Sequence, residues 1–387
     1  MRNARKRWAA AAVVALVAGS LAGCGGSAAE KPDARQAKTV KIGFAAPLTG
    51  DNAVYGRGMQ RAAQMAIDEA NASERVKAAG LKFELAAQDD QGDPKQAVNV
   101  ATLLSGDPAV VGVVGHFNSG CSIPASAVYQ QAGLAMVSVS SNPQLTAQGF
   151  DIVNRIVAKD DTQGSYAADL VYDRLGLRKV AVLDDSTPYG SGLAAEFVKR
   201  FAEKGGTVVL QEKVQAKDVD FSALVTRIKS AKPEAIYYGG AHTEGALLSK
   251  QAKESGLRVP VIGGDMLYSA EYISIARAEN ADGDICTSLG LPLEQQPRGA
   301  EFKAAYEKRY GEAPEAYDSY AYDSAWIIVE AVLEAGADRA AVAKAIRGIS
   351  YDGVTGTTSF DENGDTRNQV ISAYRVEGGA WKQLLDQ

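Results

Sequence analysis

Histidine and cysteine are scarce in this chain of 387 residues: two histidines, His116 and His242, and three cysteines, Cys24, Cys121 and Cys286. No CxxC spacing or Cys/His cluster exists, so neither a zinc site nor any other metal is expected. No G-x-S-x-G, HExxH or Walker-type loop occurs, and no cofactor is implied. The acid pair Asp184 and Asp185 reads as a solvated strand end, so an enzyme has no supporting constellation. Basic tracts are missing beyond the first seven residues. Nucleic acid is therefore excluded as a partner. Long apolar runs are missing too. The run from Ala9 to Leu21 is too short to span a membrane comfortably.

What the chain does have begins at that run. Arg2, Arg5, Lys6 and Arg7 precede it, and Leu21-Ala22-Gly23-Cys24 closes it. Such a start reads as a targeting segment to be left out of the fold. Its end resembles the lipobox of bacterial lipoproteins, which implies cleavage after residue 23 and a diacylglycerol on Cys24. The alternative is a plain secretory peptide with a chance cysteine. Residues 24–38 are small and polar and read as a flexible tether. Losing the four basic residues takes the formal net charge from -6 to -10. The remaining chain of about 364 residues suggests two domains. Cys121 and Cys286 lie far apart in sequence and are expected as free thiols.

From Thr39 onward, strand and helix signals alternate. Strands are predicted at 40–45, 81–87, 110–114 and 134–139, with helices at 55–78, 95–104 and 123–131. The first helix shows an apolar face of Met59, Ala62, Ala63, Ala66, Ile67 and Ala70. A second set places strands at 179–183, 207–211, 235–238 and 259–263 and helices near 189–203, 221–230 and 244–255. Helices at 299–310, 317–335 and 339–347 and strands at 357–360 and 369–376 finish the chain. Such alternation argues for α/β architecture, with parallel sheets covered by helices on both faces.

The most informative stretch is His116-Phe117-Asn118-Ser119-Gly120-Cys121, between the buried run Val110–Gly115 and a helix. A strand-to-helix junction of this kind points free N–H groups and the positive helix end at one spot, which suits a carboxylate. An ordinary N-cap role for Ser119 is the competing reading. The two sets also echo each other. Tyr55-Gly56-Arg57-Gly58 follows the first strand of one, and Tyr189-Gly190-Ser191-Gly192 the first strand of the other. Each presents a tyrosine at the C-terminal edge of its sheet, where open α/β sheets bind ligands. Gly190 to Ala195 also fits G-x-G-x-x-A. A dinucleotide fingerprint needs its glycine directly after the strand, and here six residues intervene.

In order along the chain, Lys41-Ile42-Gly43, Pro47-Leu48-Thr49-Gly50, Asp93-Pro94-Lys95-Gln96-Ala97-Val98, Gly115-His116 and Pro143-Gln144-Leu145-Thr146 form a recognisable series. Asp220-Phe221-Ser222-Ala223-Leu224-Val225, Tyr237-Tyr238-Gly239-Gly240 and Asp361-Glu362-Asn363-Gly364-Asp365 continue it. Over residues 39 to 387 the chain resembles the leucine/isoleucine/valine-binding proteins of bacterial ABC importers. The resemblance implies a periplasmic-binding-protein class I fold, two doubly wound lobes with a three-strand hinge. Residues 39–157 with 289–361 would form the first lobe and 158–288 with 369–387 the second. Crossings fall near 157–160, 287–290 and 361–369. The implied function is capture of branched-chain or other aliphatic amino acids and delivery to a membrane permease. The protein would be a monomer, lipid-anchored outside the cytoplasm.

The resemblance also implies a site. Ser119 with the backbone beside Phe117, and a second junction at Ser140 and Ser141, would hold the ligand carboxylate. Asp265 would pair with its ammonium, and Tyr55, Tyr189 and Tyr317 would wall the pocket. A zwitterion bound dry needs those three provisions: donors, an anion and an apolar enclosure. The chain departs from the pattern at Gly92 and Asn118, where some members have a disulfide. It departs again at Ala241, where some have a tyrosine, and at Asp265, where some have glutamate. The competing function is a sensor or regulatory binding protein of the same fold, for amides, urea or other small carboxylates.

Overall fold

The computed structural model describes residues 37 to 384. The predicted signal peptide, the lipidation of Cys24 and nearly all of the predicted tether lie outside the described residues. Two β-sheets organise the rest. The first contains β1 (Lys38–Ala46), β2 (Leu81–Asp89), β3 (Val110–Gly115), β4 (Ala135–Ser138) and β5 (Val153–Arg155), in the order β2-β1-β3-β4-β5. All of its pairings are parallel. β3 is buried along its whole length, as expected of an apolar strand covered on both faces. The helix Ala53–Ala72 packs on this sheet through the predicted apolar face. A second helix, Asp318–Ala335, crosses β3 closely. A Cβ on Gly112 would stand 2.9 Å from Ile328 Cγ2.

The second sheet contains β6 (Lys179–Asp184), β7 (Thr207–Lys213), β8 (Ala235–Gly239), β9 (Val261–Gly263) and β10 (Ile285–Leu289). After a small hairpin of β11 (Ser350–Asp352) and β12 (Thr357–Ser359), β13 (Ile371–Glu377) and β14 (Ala380–Gln383) complete it. Its order is β14-β13-β10-β9-β8-β6-β7. β6 to β10 run parallel, and β13 and β14 are antiparallel additions.

The chain path is not a simple succession of the two halves. After β5 the helix Asp160–Asp169 packs on the helix Pro188–Glu203 of the second half, so closely that a Cβ on Gly164 would lie 2.9 Å from the Phe197 nitrogen. After β10 the chain returns. The Arg339 guanidinium donates to the carbonyls of Ser105, Asp107 and Val110, and Tyr310 donates to the Arg61 carbonyl. Arg347 reaches the Asp151 and Val153 carbonyls. The segment then passes Arg155, whose fully buried guanidinium holds Asp365 at 2.8 Å, and enters β13.

Four expectations are corrected. The helix predicted over 55–78 is two helices, because Ser73 is extended and its hydroxyl oxygen caps the second through the Val76 N–H. The helix predicted from 123 begins at Ser119 and runs through Pro124. The small polar residues of its first turn carry no apolar periodicity to reveal it. Asp184 and Asp185 are not a solvated strand end. Each is 4% exposed, because the loops after β6, β7 and β8 converge there. β5, β10 and β14 and the helix Asp160–Asp169 were not anticipated, the strands being short and the helix polar.

Candidate functional site

The C-terminal ends of the parallel strands of both sheets face one another, and the predicted residues collect there. His116 anchors the first wall. Its Nδ1 lies 2.7 Å from an Asp90 carboxylate oxygen and its Nε2 lies 3.0 Å from the Tyr129 hydroxyl, all buried. Its carbonyl accepts the hydroxyls of Ser122, Ser138 and Ser140. The junction above β3 is thereby fixed in shape before any ligand arrives.

Ser119 is the first residue of the helix Ser119–Ala132, and Asn118 occupies the N-cap without a side-chain cap bond. The N-cap reading of Ser119 is therefore set aside. The N–H groups of Ser119 and Gly120 have no carbonyl one turn back to donate to, and they sit at the positive end of the helix. The Ser119 hydroxyl oxygen receives the Asn142 N–H at 3.4 Å, which joins the two predicted junctions. Ser140 and Ser141 part company there. The Ser140 hydroxyl turns inward and donates to the Phe117 carbonyl at 2.8 Å, whereas Ser141 lines the cavity.

Asp265 forms the opposite wall, just past β9 and 3% exposed. It accepts the Tyr189 hydroxyl at 2.8 Å and the Tyr317 hydroxyl in a still closer contact. Tyr189 comes from the second half and Tyr317 from the turn before Asp318–Ala335. Gly264 is required here, since a Cβ on it would stand 2.4 Å from the Tyr189 oxygen. Burial raises the Asp265 carboxyl above its ordinary value, and the two tyrosine hydroxyls pull it partly back.

A second acid stands beside it. Asp160, fully buried, has no hydrogen-bond partner for either carboxylate oxygen. Burial, and after it the charge of Asp265, push its carboxyl well above the usual range. Ser141 and Arg155 ease it down only in part. The Arg155 guanidinium is itself committed to Asp365, to the Thr146 hydroxyl and to the carbonyls of Ser140 and Asn142. Gln163 also carries both side-chain polar atoms without partners.

Aromatic rings fill the space behind. Tyr55 stacks on Phe117 at 5.3 Å, and Phe117 meets Tyr317 edge-on at 4.9 Å. The Tyr55 hydroxyl crosses to the other half and donates to the Met266 carbonyl at 3.0 Å. Only a narrow space remains between these walls. Phe117, Ser119, Ser141, Tyr189, Asp265 and Tyr317 line it, while Tyr55 and Ser140 stand behind its walls. Asn118, Val139 and Met266 also line it and were not anticipated. Their neighbours in sequence were the available signal. For Asp160 the signal was an acid directly at a predicted crossing.

Among the described residues no group of three or more His, Cys, Asp or Glu is placed to hold a metal ion. Cys121 and Cys286 are free and buried. No described helix is long and apolar enough to cross a membrane.

Comparison with known proteins agrees with this fold. The family described as periplasmic binding protein matches residues 39–380. A Leu/Ile/Val-binding protein homolog from Brucella abortus is 38% identical over 344 residues, which are 88% of this chain and 91% of that protein. The crystal structure of a leucine binding protein, LivK, from Thermotoga maritima superposes with a TM-score of 0.83 at 29% identity, covering 89% of this chain and 98% of that one. The branched-chain amino acid transporter substrate binding protein LivJ from Streptococcus pneumoniae, solved in complex with isoleucine, gives a TM-score of 0.79 at 30% identity, with coverage of 89% and 98%.

Proposed function

The chain belongs to the periplasmic binding protein family, and from that premise we propose that it is the receptor of an ABC importer for aliphatic amino acids. The observation that carries this reading is the opposition of two walls. One offers neutral donors, the free N–H groups and hydroxyls at Ser119 and Ser141. The other offers Asp265, which no side-chain cation answers, with Asp160 buried nearby behind Ser141. A zwitterion laid between them puts its carboxylate on the donors and its ammonium on Asp265. The rings of Phe117, Tyr189 and Tyr317 exclude water from both contacts, which strengthens each. The names of the Brucella and Thermotoga relatives and the isoleucine of the Streptococcus complex support an aliphatic side chain.

The reading is of binding without turnover, in keeping with a family of binding proteins. The lobes, 39–157 with 289–361 and 158–288 with 369–387, are taken to close on the ligand about three connecting segments. Tyr55 bonded to the Met266 carbonyl and Asn142 bonded to the Pro188 carbonyl at 2.6 Å are contacts that opening breaks. The protein acts as a monomer, tethered outside the cytoplasm through lipid on Cys24. Calorimetric titration against the common amino acids, short amides and urea tests the proposal. Saturable binding of leucine, isoleucine or valine, with a smaller radius of gyration in small-angle scattering, is expected. Binding of amides or urea alone would transfer the protein to the sensory class. Cys24→Ala is expected to release the protein from membranes or to block its processing.

A further inference from the structure

We propose that the vestibule beside the amino-acid cavity is a subsite for a positively charged, hydrogen-bond-donating side-chain end, so that the protein also takes amino acids of the ornithine and lysine kind. This deepens the reading above and rests on it. The vestibule offers about 350 Å³ between the loops at the C-terminal edges of both sheets. It shares Asn118, Ser119, Tyr189 and Met266 with the inner cavity. A side chain leaving an α-carbon held between Ser119 and Asp265 therefore has the vestibule next to it, where Ala241 is a small lining residue.

What waits in the vestibule is a surplus of acceptors. Glu244 is 4% exposed and lines the vestibule. One of its carboxylate oxygens accepts the Lys217 N–H at 2.5 Å, and the other has no partner. Asn52 and Asn118, which also line the vestibule, each carry a buried amide oxygen without a partner. Asp185, also 4% exposed, uses one oxygen for the Thr187 N–H and hydroxyl. Burial foremost, with the nearby charges of Glu244 and Asp184, lifts its carboxyl to about 6 against the pull of Thr187. Asp51 and Asp93 stand on the rim, and Lys217 is the one basic residue among the lining.

A buried carboxylate oxygen without a donor is costly, and an aliphatic side chain leaves it so. An ω-ammonium supplies both the hydrogen bonds and the opposite charge, while its methylene stem runs past Tyr189 and Met266. The chemistry thus favours a cationic end over an amide or hydroxyl.

Titration of the full chain with leucine, norleucine, ornithine and lysine tests this, in the wild type, Glu244→Gln and Asp185→Asn. Ornithine or lysine is expected to bind the wild type. Glu244→Gln should weaken that binding by at least about tenfold while leucine and norleucine change by less than about twofold. Asp185→Asn should move the same way with smaller amplitude, and thermal melts establish that each variant is folded. Leucine binding without ornithine or lysine binding overturns the subsite and leaves the aliphatic receptor standing. Ornithine or lysine binding that ignores both substitutions overturns it as well. If no α-amino acid binds, the subsite falls together with the receptor reading.

Discussion

Asp284 and Asp265 stand at opposite edges of one sheet and are treated in opposite ways. Asp284, just before β10, receives the Lys253 ammonium, the Ser249 and Tyr272 hydroxyls and the Val261 N–H. Asp265, just after β9, receives two tyrosine hydroxyls and no cation, and a second partnerless acid, Asp160, lies near it. Burial pushes both Asp284 and Asp265 upward, but for Asp284 the Lys253 charge opposes it within the protein. The fold can satisfy a buried carboxylate fully when the role is structural. Asp265 is left without a side-chain cation, and on the proposed function the missing charge is that of the ligand.

The comparison breaks most severely at Lys253. Lys253→Met leaves Asp284 buried and unpaired, and a loss of about 3–5 kcal/mol in stability is expected. Denaturant unfolding reads it, and leucine affinity of the folded fraction should stay within about twofold. Asp160→Asn should do the reverse, leaving the fold intact while weakening leucine by about tenfold, near 1.4 kcal/mol. It should also change the pH response. Burial and the Asp265 charge disfavour the ionised form of Asp160 in the closed, ligand-free site. An incoming ammonium favours the ionised form, so wild-type affinity falls as pH falls and the variant should lose part of that slope. An unaltered slope would show that Asp160 does not meet the ammonium.

Closure itself is tested by Gly192→Ala. A Cβ there would stand 2.4 Å from Asn142 Nδ2, so the Asn142–Pro188 bond across the halves must give way. A loss of about 1 kcal/mol, near fivefold in affinity, is expected for every ligand alike. Selective loss for one ligand would place Asn142 in the pocket instead. The smallest effect concerns Glu315, whose carboxyl burial lifts from 4.5 to about 6. The folded state then binds protons more tightly than the unfolded one between those values, so stability falls as pH rises through that window. Glu315→Gln should remove about 1 kcal/mol of that fall, seen as a flatter melting temperature between pH 4.5 and 6.

Much of the architecture is legible without coordinates because alternating strands and helices leave strong periodic signals. The echo of Tyr55 and Tyr189 locates the strand edges, and the resemblance supplies Asp265 and Tyr317. What sequence leaves open is decided by packing. Ser140 and Ser141 are adjacent, and a shift of one residue along extended chain exchanges core for cavity. Asp160 falls at a predicted crossing and gives no sign of a buried acid until the two halves cover it. Asp184 and Asp185 look like solvent-facing acids until loops from three strands cover them.

The central claim is that Asp265 awaits an ammonium, and titration of the wild type and Asp265→Ala with leucine and with its deaminated analogue, 4-methylpentanoate, tests it most directly. The account predicts that the substitution weakens leucine by about 2–5 kcal/mol, roughly thirtyfold to several thousandfold, and leaves the analogue nearly unchanged. Equal leucine affinities in the two proteins, or equal losses for both ligands, would contradict it.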